Sequence, residues 1–106
     1  MQTLSIIVPV YNEEKTVAGV LQKLLHLRIG DMQKQIIVVS DGSTDATKSA
    51  LTPFREHITY IEHAVNKGKG AAIRSGLREV VGGLVIIQDA DLEYDSHEFP
   101  RLLAAL

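Results

Sequence analysis

The fold of this chain is decided by an apolar stretch near its start, which reads Leu4-Ser5-Ile6-Ile7-Val8-Pro9-Val10. Similar runs rich in Val and Ile return at residues 35–39, 58–61 and 84–87. Most of these runs are apolar throughout and do not alternate cleanly with polar residues. That pattern is typical of strands that are buried on both faces of a parallel sheet. The sequence therefore predicts four such strands.

Segments with apolar residues at helical spacing separate these strands. Asn12 is the predicted N-cap of the first helix. The apolar positions of that helix are Val17, Val20, Leu21, Leu24 and Leu25. Further helices are predicted at residues 45–54, at 72–80 and in the last residues of the chain, where Ser96 is the predicted cap. The alternation of strand and helix predicts an α/β fold, with a mainly parallel four-stranded sheet and helices on both faces.

Composition narrows the class of protein. The chain has 106 residues, of which 45% are hydrophobic and 23% are charged, and this predicts one globular domain with a real core. Its net charge of −2 argues against nucleic-acid binding through bulk positive charge. Because the chain has no cysteine, disulfide scaffolds, zinc knuckles and thiol nucleophiles are excluded. No apolar run approaches the roughly 20 residues that a membrane span needs.

Polar residues follow every predicted strand, at positions 11–14, 40–43, 66–70 and 89–91. In a doubly wound sheet, ligands bind beyond the carboxyl ends of the strands. We therefore expect all four polar clusters to meet at one rim of the sheet. Their convergence is stronger evidence for a binding site than any one cluster alone.

The sharpest of these signals is Asp89-Ala90-Asp91. Side chains two residues apart on an extended segment point the same way, so both carboxylates can approach one divalent ion. Mg²⁺ and Mn²⁺ prefer oxygen ligands and often bind through one or two carboxylates and substrate phosphates. Glu93 is a candidate third ligand. The competing interpretation is a solvated loop with chance acidic residues, and the position at the shared rim favours the metal.

Two residues of the rim have an alternative role that local sequence leaves open. The Asp41 carboxylate can accept a hydrogen bond from a ring N–H of a nucleobase, or it can form an Asx-turn or helix N-cap with residues 42–44. Tyr11 is a candidate stacking partner for a base or ribose, or else a partly exposed aromatic side chain beside a helix start. Asp45 is predicted to be a cap.

The third polar cluster, Asn66-Lys67-Gly68-Lys69-Gly70, lies just before a predicted helix. Glycines let the backbone approach a ligand closely, and a helix N-terminus attracts anions. Lys69 is therefore a candidate phosphate contact, and so is Arg74, whose alternative role is on a solvated helix face. The four histidines lack metal-ligand spacing and are predicted to be structural or surface residues, although His63 precedes the glycine-containing cluster at residues 66–70.

The motifs at residues 7–14, 39–45, 66–71 and 89–91 together resemble those of family 2 glycosyltransferases, which have the Rossmann-like GT-A fold. Their order and spacing fit over nearly the whole chain. The Gly-Lys-Gly and Asp-Ala-Asp-Leu blocks are most similar to the branch that acts on dolichyl or polyprenyl phosphate. The resemblance implies an inverting hexosyltransferase that takes a sugar from a UDP- or GDP-sugar and needs Mg²⁺ or Mn²⁺.

The resemblance also implies substrate-binding roles for individual residues. Pro9, Tyr11 and Glu13 are expected to line the nucleoside pocket, and Asp41 to read the base. Lys69 and Arg74 are expected to lie near the base or the phosphates.

The same resemblance makes Asp89 and Asp91 the catalytic carboxylates. Asp89 is expected to contact the ribose or the metal, and Asp91 to hold the metal between the phosphates, with Glu93 as a further metal ligand. Glu93 stands where the lipid-phosphate branch often has glutamine, and Ser40 stands where the family often has a first aspartate. The departure at Glu93 leaves the metal preference and the exact branch open.

Members of this family are much longer, so residues 1–106 are expected to be the nucleotide-sugar-binding part of a truncated transferase domain, inactive alone. The alternative from another class is a nucleotide-binding or assembly module without transfer activity. A phospho-acceptor receiver domain is discounted because it needs a fifth strand, whereas four strands are predicted here. We expect no signal peptide, no nucleic-acid partner, and a location in the cytoplasm or, for the full-length enzyme, at the cytoplasmic face of a membrane. The edge of the fourth strand is expected to self-associate.

Overall fold

A computed structural model describes residues 2–90 of the chain. Four parallel strands form one sheet in the order β3-β2-β1-β4. The strands are β1 (Thr3–Val10), β2 (Gln33–Asp41), β3 (Thr59–His63) and β4 (Leu84–Ile87). The helices are α1 (Val17–His26), α2 (Thr47–Leu51) and α3 (Lys69–Leu77), and a 3₁₀ helix (Thr52–His57) follows α2. The predicted α/β architecture is confirmed.

The core lies on both faces of this sheet. Even-numbered residues of β1, such as Ile6 and Val8, pack in the cluster that contains the apolar side of α1, with Leu21 at its centre. Ile7 of the same strand packs on the opposite face, against Ala72 of α3. Successive strand residues point to opposite faces, so a strand that is apolar throughout serves both clusters. This confirms the helices predicted on both faces.

The third helix approaches the sheet closely because Gly76 has no side chain. A Cβ atom at Gly76 would lie 2.7 Å from Cγ2 of Ile7, closer than two carbon atoms can pack. The absence of a side chain therefore sets the distance between α3 and β1. That distance in turn places the first residues of α3 at the carboxyl ends of β1 and β2.

Several predicted element boundaries differ from the structure, and two of the differences have identifiable reasons. The first helix begins at Val17 with Thr16 in the N-cap position, and Asn12 lies outside it with a φ of 51°. The third helix ends at Leu77 and does not reach residue 80. There the side chain of Gln35 accepts a hydrogen bond from Val81 N (3.1 Å) and donates one to Glu79 O (2.8 Å), so the chain turns away.

The remaining expectations concern the second helix, the last helix and membrane crossing. The predicted helix at residues 45–54 is α2 followed by the 3₁₀ helix, and Pro53 lies in the first turn of that 3₁₀ helix. The helix predicted to begin at Ser96 lies outside the described residues. Within residues 2–90, no helix has both the length and the apolar character that crossing a membrane requires.

Candidate functional site

A cleft of about 260 Å³ opens at the carboxyl ends of the strands. It lies between the segments that follow β1, β2 and β4 and the first turns of α3. The side chains and backbone around it belong to Pro9, Val10, Tyr11, Glu13, Asp41, Asn66, Lys69, Ala72, Asp89 and Ala90. The four polar clusters that were predicted to share one rim therefore do meet there.

The segment that follows β1 is fastened to the segment that follows β2. Asn12 Oδ1 accepts hydrogen bonds from Thr44 N (2.8 Å) and Asp45 N (3.3 Å), and Glu13 N donates to Thr47 Oγ1 (2.9 Å). Asn12 has a positive φ, a conformation that Asn adopts more readily than most residues. These bonds hold Tyr11, which is 46% exposed, at the mouth of the cleft.

Asp45 lies one residue before Ala46, which occupies the N-cap position of α2. The Asp45 carboxylate accepts a hydrogen bond from Thr47 N at 2.9 Å, and Thr47 is the first residue of α2. The same carboxylate accepts a longer bond from Glu14 N, at 3.4 Å. Asp45 therefore bonds to the first N–H group of α2, but from outside the N-cap position that the predicted capping role implies.

Asp41 is the most buried polar residue of the cleft wall, with 3% of its surface exposed. Its Oδ1 accepts hydrogen bonds from His63 Nδ1 (2.8 Å) and Lys67 N (2.9 Å), and its Oδ2 accepts one from Gly68 N (2.8 Å). These partners belong to β3 and to the loop before α3. The carboxylate therefore ties β2 to that loop, and these bonds are not those of an Asx-turn with residues 42–44.

Burial and hydrogen bonding act on the Asp41 carboxyl in opposite directions. Burial raises its pKa, while the bonds from His63, Lys67 N and Gly68 N stabilise the charged form and lower the pKa. The net effect is a pKa below the ordinary value of an aspartate. Asp41 is therefore an anion at neutral pH, fixed in direction by three donors.

Gly42 explains how the loop before α3 comes so near. Its φ is +71°, and a Cβ atom there would lie 2.3 Å from Asn66 N and 2.5 Å from the carbonyl carbon of Val65. Only glycine allows both the conformation and the contact. The Asp41-Gly42 pair thus brings Asn66 into the cleft wall, and Asn66 itself is a lining residue that the individual site predictions omitted.

The cleft lining also carries an ion pair between Lys69 and Asp89. Both side chains are partly exposed, Lys69 at 57% and Asp89 at 39%. The backbone beside Asp89 is fixed, since Thr16 Oγ1 donates a hydrogen bond to Ala90 O at 2.6 Å. The Asp89 carboxylate therefore offers the cleft an oxygen of the kind that Mg²⁺ and Mn²⁺ prefer, and in this structure that carboxylate is paired with the Lys69 ammonium.

The structure brings together most of the predicted site residues. Six of them line the cleft: Pro9, Tyr11, Glu13, Asp41, Lys69 and Asp89. Arg74 lies on the exposed side of α3, outside the lining, with its Nη1 near Gly70. Asp91 and Glu93 lie outside the described residues, and among residues 2–90 no three acidic or histidine side chains are grouped to hold a metal ion.

His63 was missed as a residue that supports this site from behind the lining. His63 is 9% exposed, and its Nε2 lies 2.8 Å from Ser75 Oγ in α3. The sequence gives no spacing signal for a contact between residues 22 or 12 positions apart. The hint that the sequence offers is the position of His63, at the end of an apolar strand just before the glycine-containing cluster at residues 66–70.

Comparison with known proteins agrees with this geometry. A family model described as glycosyl transferase family 2 matches residues 5–106. A dolichyl-phosphate beta-glucosyltransferase of Trichomonas vaginalis is 38% identical over 83% of this chain and 30% of its own length. An undecaprenyl-phosphate 4-deoxy-4-formamido-L-arabinose transferase of Pectobacterium carotovorum is 35% identical over 97% of this chain and 33% of its own length. The chain thus spans about a third of the length of these curated relatives.

Solved structures give the same result for the fold. A mannosyltransferase from Pyrobaculum calidifontis, in complex with GDP-Man and Mn²⁺, superposes with a TM-score of 0.82 at 29% identity, over 94% of this chain and 31% of that one. A glucosyl-3-phosphoglycerate synthase from Mycobacterium tuberculosis, in complex with Mn²⁺, UDP-glucose and phosphoglyceric acid, superposes with a TM-score of 0.79 at 26% identity, over 97% and 39% of the two chains.

Proposed function

Because this chain belongs to glycosyl transferase family 2, we propose that it is the donor-binding part of a glycosyltransferase. The proposed donor is a nucleoside-diphosphate sugar, UDP- or GDP-linked, and the proposed acceptor is a polyprenyl or dolichyl phosphate. Two similar solved structures hold GDP-Man and UDP-glucose with Mn²⁺. Two curated relatives are named for transfer to dolichyl and undecaprenyl phosphate.

One observation carries this proposal: an aromatic ring, a buried carboxylate, a cation and a partly exposed carboxylate face the same cleft. Tyr11 lies at the mouth, where a base or ribose can stack on its ring. Asp41 lies in the wall, and Lys69 and Asp89 line the same cleft as an ion pair. This arrangement of side chains fits a nucleotide that lies across the carboxyl ends of the strands, with its base at Asp41 and its diphosphate at Lys69.

The hydrogen-bond inventory of Asp41 supports its role as a reader of the base. A carboxylate offers about four acceptor positions. Three of them are used by donors of this chain, two at Oδ1 and one at Oδ2. The remaining position at Oδ2 is the one that a ring N–H of a base would occupy.

The part of the cleft near Lys69 and Asp89 would bind the diphosphate. Lys69 brings a positive charge to it, and Asp89, together with Asp91 and Glu93, would hold Mg²⁺ or Mn²⁺. When bound, such an ion stabilises the negative charge of a nucleoside-diphosphate leaving group. A phosphate acceptor is already anionic and needs no general base to become nucleophilic, and we propose attack with inversion at the anomeric carbon.

The test is calorimetric titration of UDP and GDP into the chain, with and without Mn²⁺. We expect one of the two nucleotides to bind more tightly with Mn²⁺. Substitution Asp89→Asn keeps the size of the side chain and removes its charge, so it should weaken Mn²⁺-dependent binding about tenfold, the equivalent of about 1.4 kcal/mol.

The matched control is Glu56→Gln, an exposed acid on the 3₁₀ helix after α2. It should leave binding unchanged, because it lies outside the cleft lining. If neither nucleotide binds under any condition, the donor-binding proposal fails. If binding is the same with and without Mn²⁺ and in Asp89→Asn, the metal assignment fails while donor binding stands.

A further inference from the structure

His63 lies behind the cleft wall and uses both nitrogens of its ring. It is the last residue of β3 and is 9% exposed. Nδ1 lies 2.8 Å from Asp41 Oδ1, and Nε2 lies 2.8 Å from Ser75 Oγ. A single side chain thus connects the carboxyl ends of β2 and β3 with the middle of α3.

The chemistry of Asp41 fixes a hydrogen on one ring nitrogen of His63. An ionised carboxylate is only an acceptor, so His63 Nδ1 must carry a hydrogen and donate it to Asp41. The Ser75 hydroxyl is both a donor and an acceptor, so it can bond to Nε2 whether or not that nitrogen carries a hydrogen. The geometry therefore assigns the donor to Asp41, which is Nδ1–H.

Through Asp41, the contacts of His63 reach residues that line the cleft. Asp41 also accepts hydrogen bonds from Lys67 N and Gly68 N. Gly68 is the N-cap residue of α3, and Lys69, the first residue of that helix, lines the cleft. The orientation of Asp41 thus fixes the loop at residues 66–68 and the start of α3.

A carboxylate, a histidine and a serine in this order also form the triad of serine hydrolases, but Ser75 is not placed to act as a nucleophile. It lies inside α3 (Lys69–Leu77), where backbone N–H groups bond to carbonyls four residues earlier. The backbone N–H groups of α3 on either side of Ser75 are therefore used within the helix and are not available to stabilise an oxyanion. The chain of contacts is suited to holding Asp41 in place.

We propose that His63, through its Nδ1–H group, is a positioning residue of the nucleotide cleft. By donating to Asp41 it orients that carboxylate toward the base of a nucleoside diphosphate and anchors the loop before α3. This inference rests on the proposed donor binding for its functional consequence. Its structural part, the bond from His63 to Asp41 and the anchored loop, is testable without any nucleotide.

The chain allows each ring nitrogen to be replaced separately. In His63→Asn the side-chain amide lies near the position of Nδ1, so a donor toward Asp41 is kept. In His63→Gln the amide lies near the position of Nε2, so the contact with Ser75 is kept and the donor to Asp41 is lost. Ser75→Ala removes the other contact and leaves the Nδ1–H bond intact.

We expect His63→Gln to weaken UDP or GDP binding about tenfold, because a hydrogen bond to a charged group is lost. His63→Asn and Ser75→Ala should bind within about twofold of the wild type, since both keep the donor to Asp41. Thermal unfolding of each variant separates a loss of folding from a loss of positioning. Equal affinity in His63→Gln and His63→Asn, both folded, would overturn the proposal.

Two measurements remain decisive if the wild type binds no nucleotide and the proposed function fails. The ¹⁵N spectrum of His63 at neutral pH should show a hydrogen on Nδ1, and an Nδ1 without a hydrogen would overturn the proposal. Hydrogen exchange at the Lys67 and Gly68 amides should be faster in His63→Gln than in His63→Asn. Equal exchange in the two variants would also overturn it.

Discussion

The charge of Asp41 makes the stability of this chain depend on pH. Burial raises the pKa of this carboxyl, but three hydrogen bonds outweigh burial and leave the pKa lower than in an unfolded chain. The unfolded state therefore takes up a proton at a pH where the folded state does not. The stabilisation by Asp41 is complete above the ordinary aspartate pKa of about 3.9 and is lost as the pH falls through the lower folded value.

Substitution Asp41→Asn should lower the free energy of unfolding by about 2 kcal/mol at pH 7, because three donors lose a charged acceptor. Urea unfolding measured at several pH values between 7 and 3 should show the two curves converging in acid, since the wild type alone loses this contribution. Asp31→Asn, at an exposed position, should give a curve parallel to the wild type. If the Asp41→Asn curve were also parallel, the folded pKa of Asp41 would not be lowered.

Single residues of the site divide into those that local sequence can identify and those that it cannot. Asp41, Lys69 and Asp89 follow strands directly, so the rule for carboxyl ends of strands finds them. The choice between a base reader and a local turn for Asp41 was open, because its partners are 22 to 27 positions away. His63 has the same property: its partners become neighbours only through the sheet and α3.

At the scale of elements, Lys34 closes the carboxyl end of α1. Its Nζ donates to Leu24 O (2.6 Å) and Leu25 O (2.9 Å) and also contacts Leu27 O. The last carbonyls of a helix lack partners within the helix, and a cation there interacts favourably with the helix dipole. A residue of β2 thus satisfies the end of the helix that precedes it.

Substitution Lys34→Met keeps the apolar stem and removes the ammonium group. We expect it to lower the free energy of unfolding by about 1.5 kcal/mol, because these carbonyls lose their donor. The matched control is Lys15→Met, which makes the same change just before the amino end of α1, where a cation is unfavourable. Urea unfolding should show the control at or above wild-type stability, and equal losses in both variants would contradict the capping role.

Strands and helices were predictable where a local pattern of residues defines them. The end of an element was not predictable where a side chain distant in sequence determines it. The fourth strand was predicted with its observed bounds, because its apolar run lies between a glycine pair and an acidic cluster. Asn12 resembles an N-cap, but its side chain bonds to residues 44 and 45. Gln35 of β2 bonds to residues 79 and 81, just after the end of α3, and no window of local sequence contains that interaction.

At the scale of the whole molecule, the sheet has two outer strands among residues 2–90. There β4 pairs with β1 on one side, and β3 pairs with β2 at the other edge. β4 carries Ile87, which is 48% exposed, and Val81 just before this strand is 76% exposed. An edge strand with exposed apolar side chains is a template for pairing with another chain.

We therefore expect the 106-residue chain to self-associate through β4, with an average mass from light scattering that rises with concentration. Ile87→Lys places a charge on the edge strand, where charged side chains oppose such pairing, and should hold the chain at the monomer mass. Val65→Lys is the matched control, because Val65 is 62% exposed and lies in the loop before α3, so it should associate as the wild type does. A wild-type mass that stays at the monomer value over the whole concentration range would contradict association at this edge.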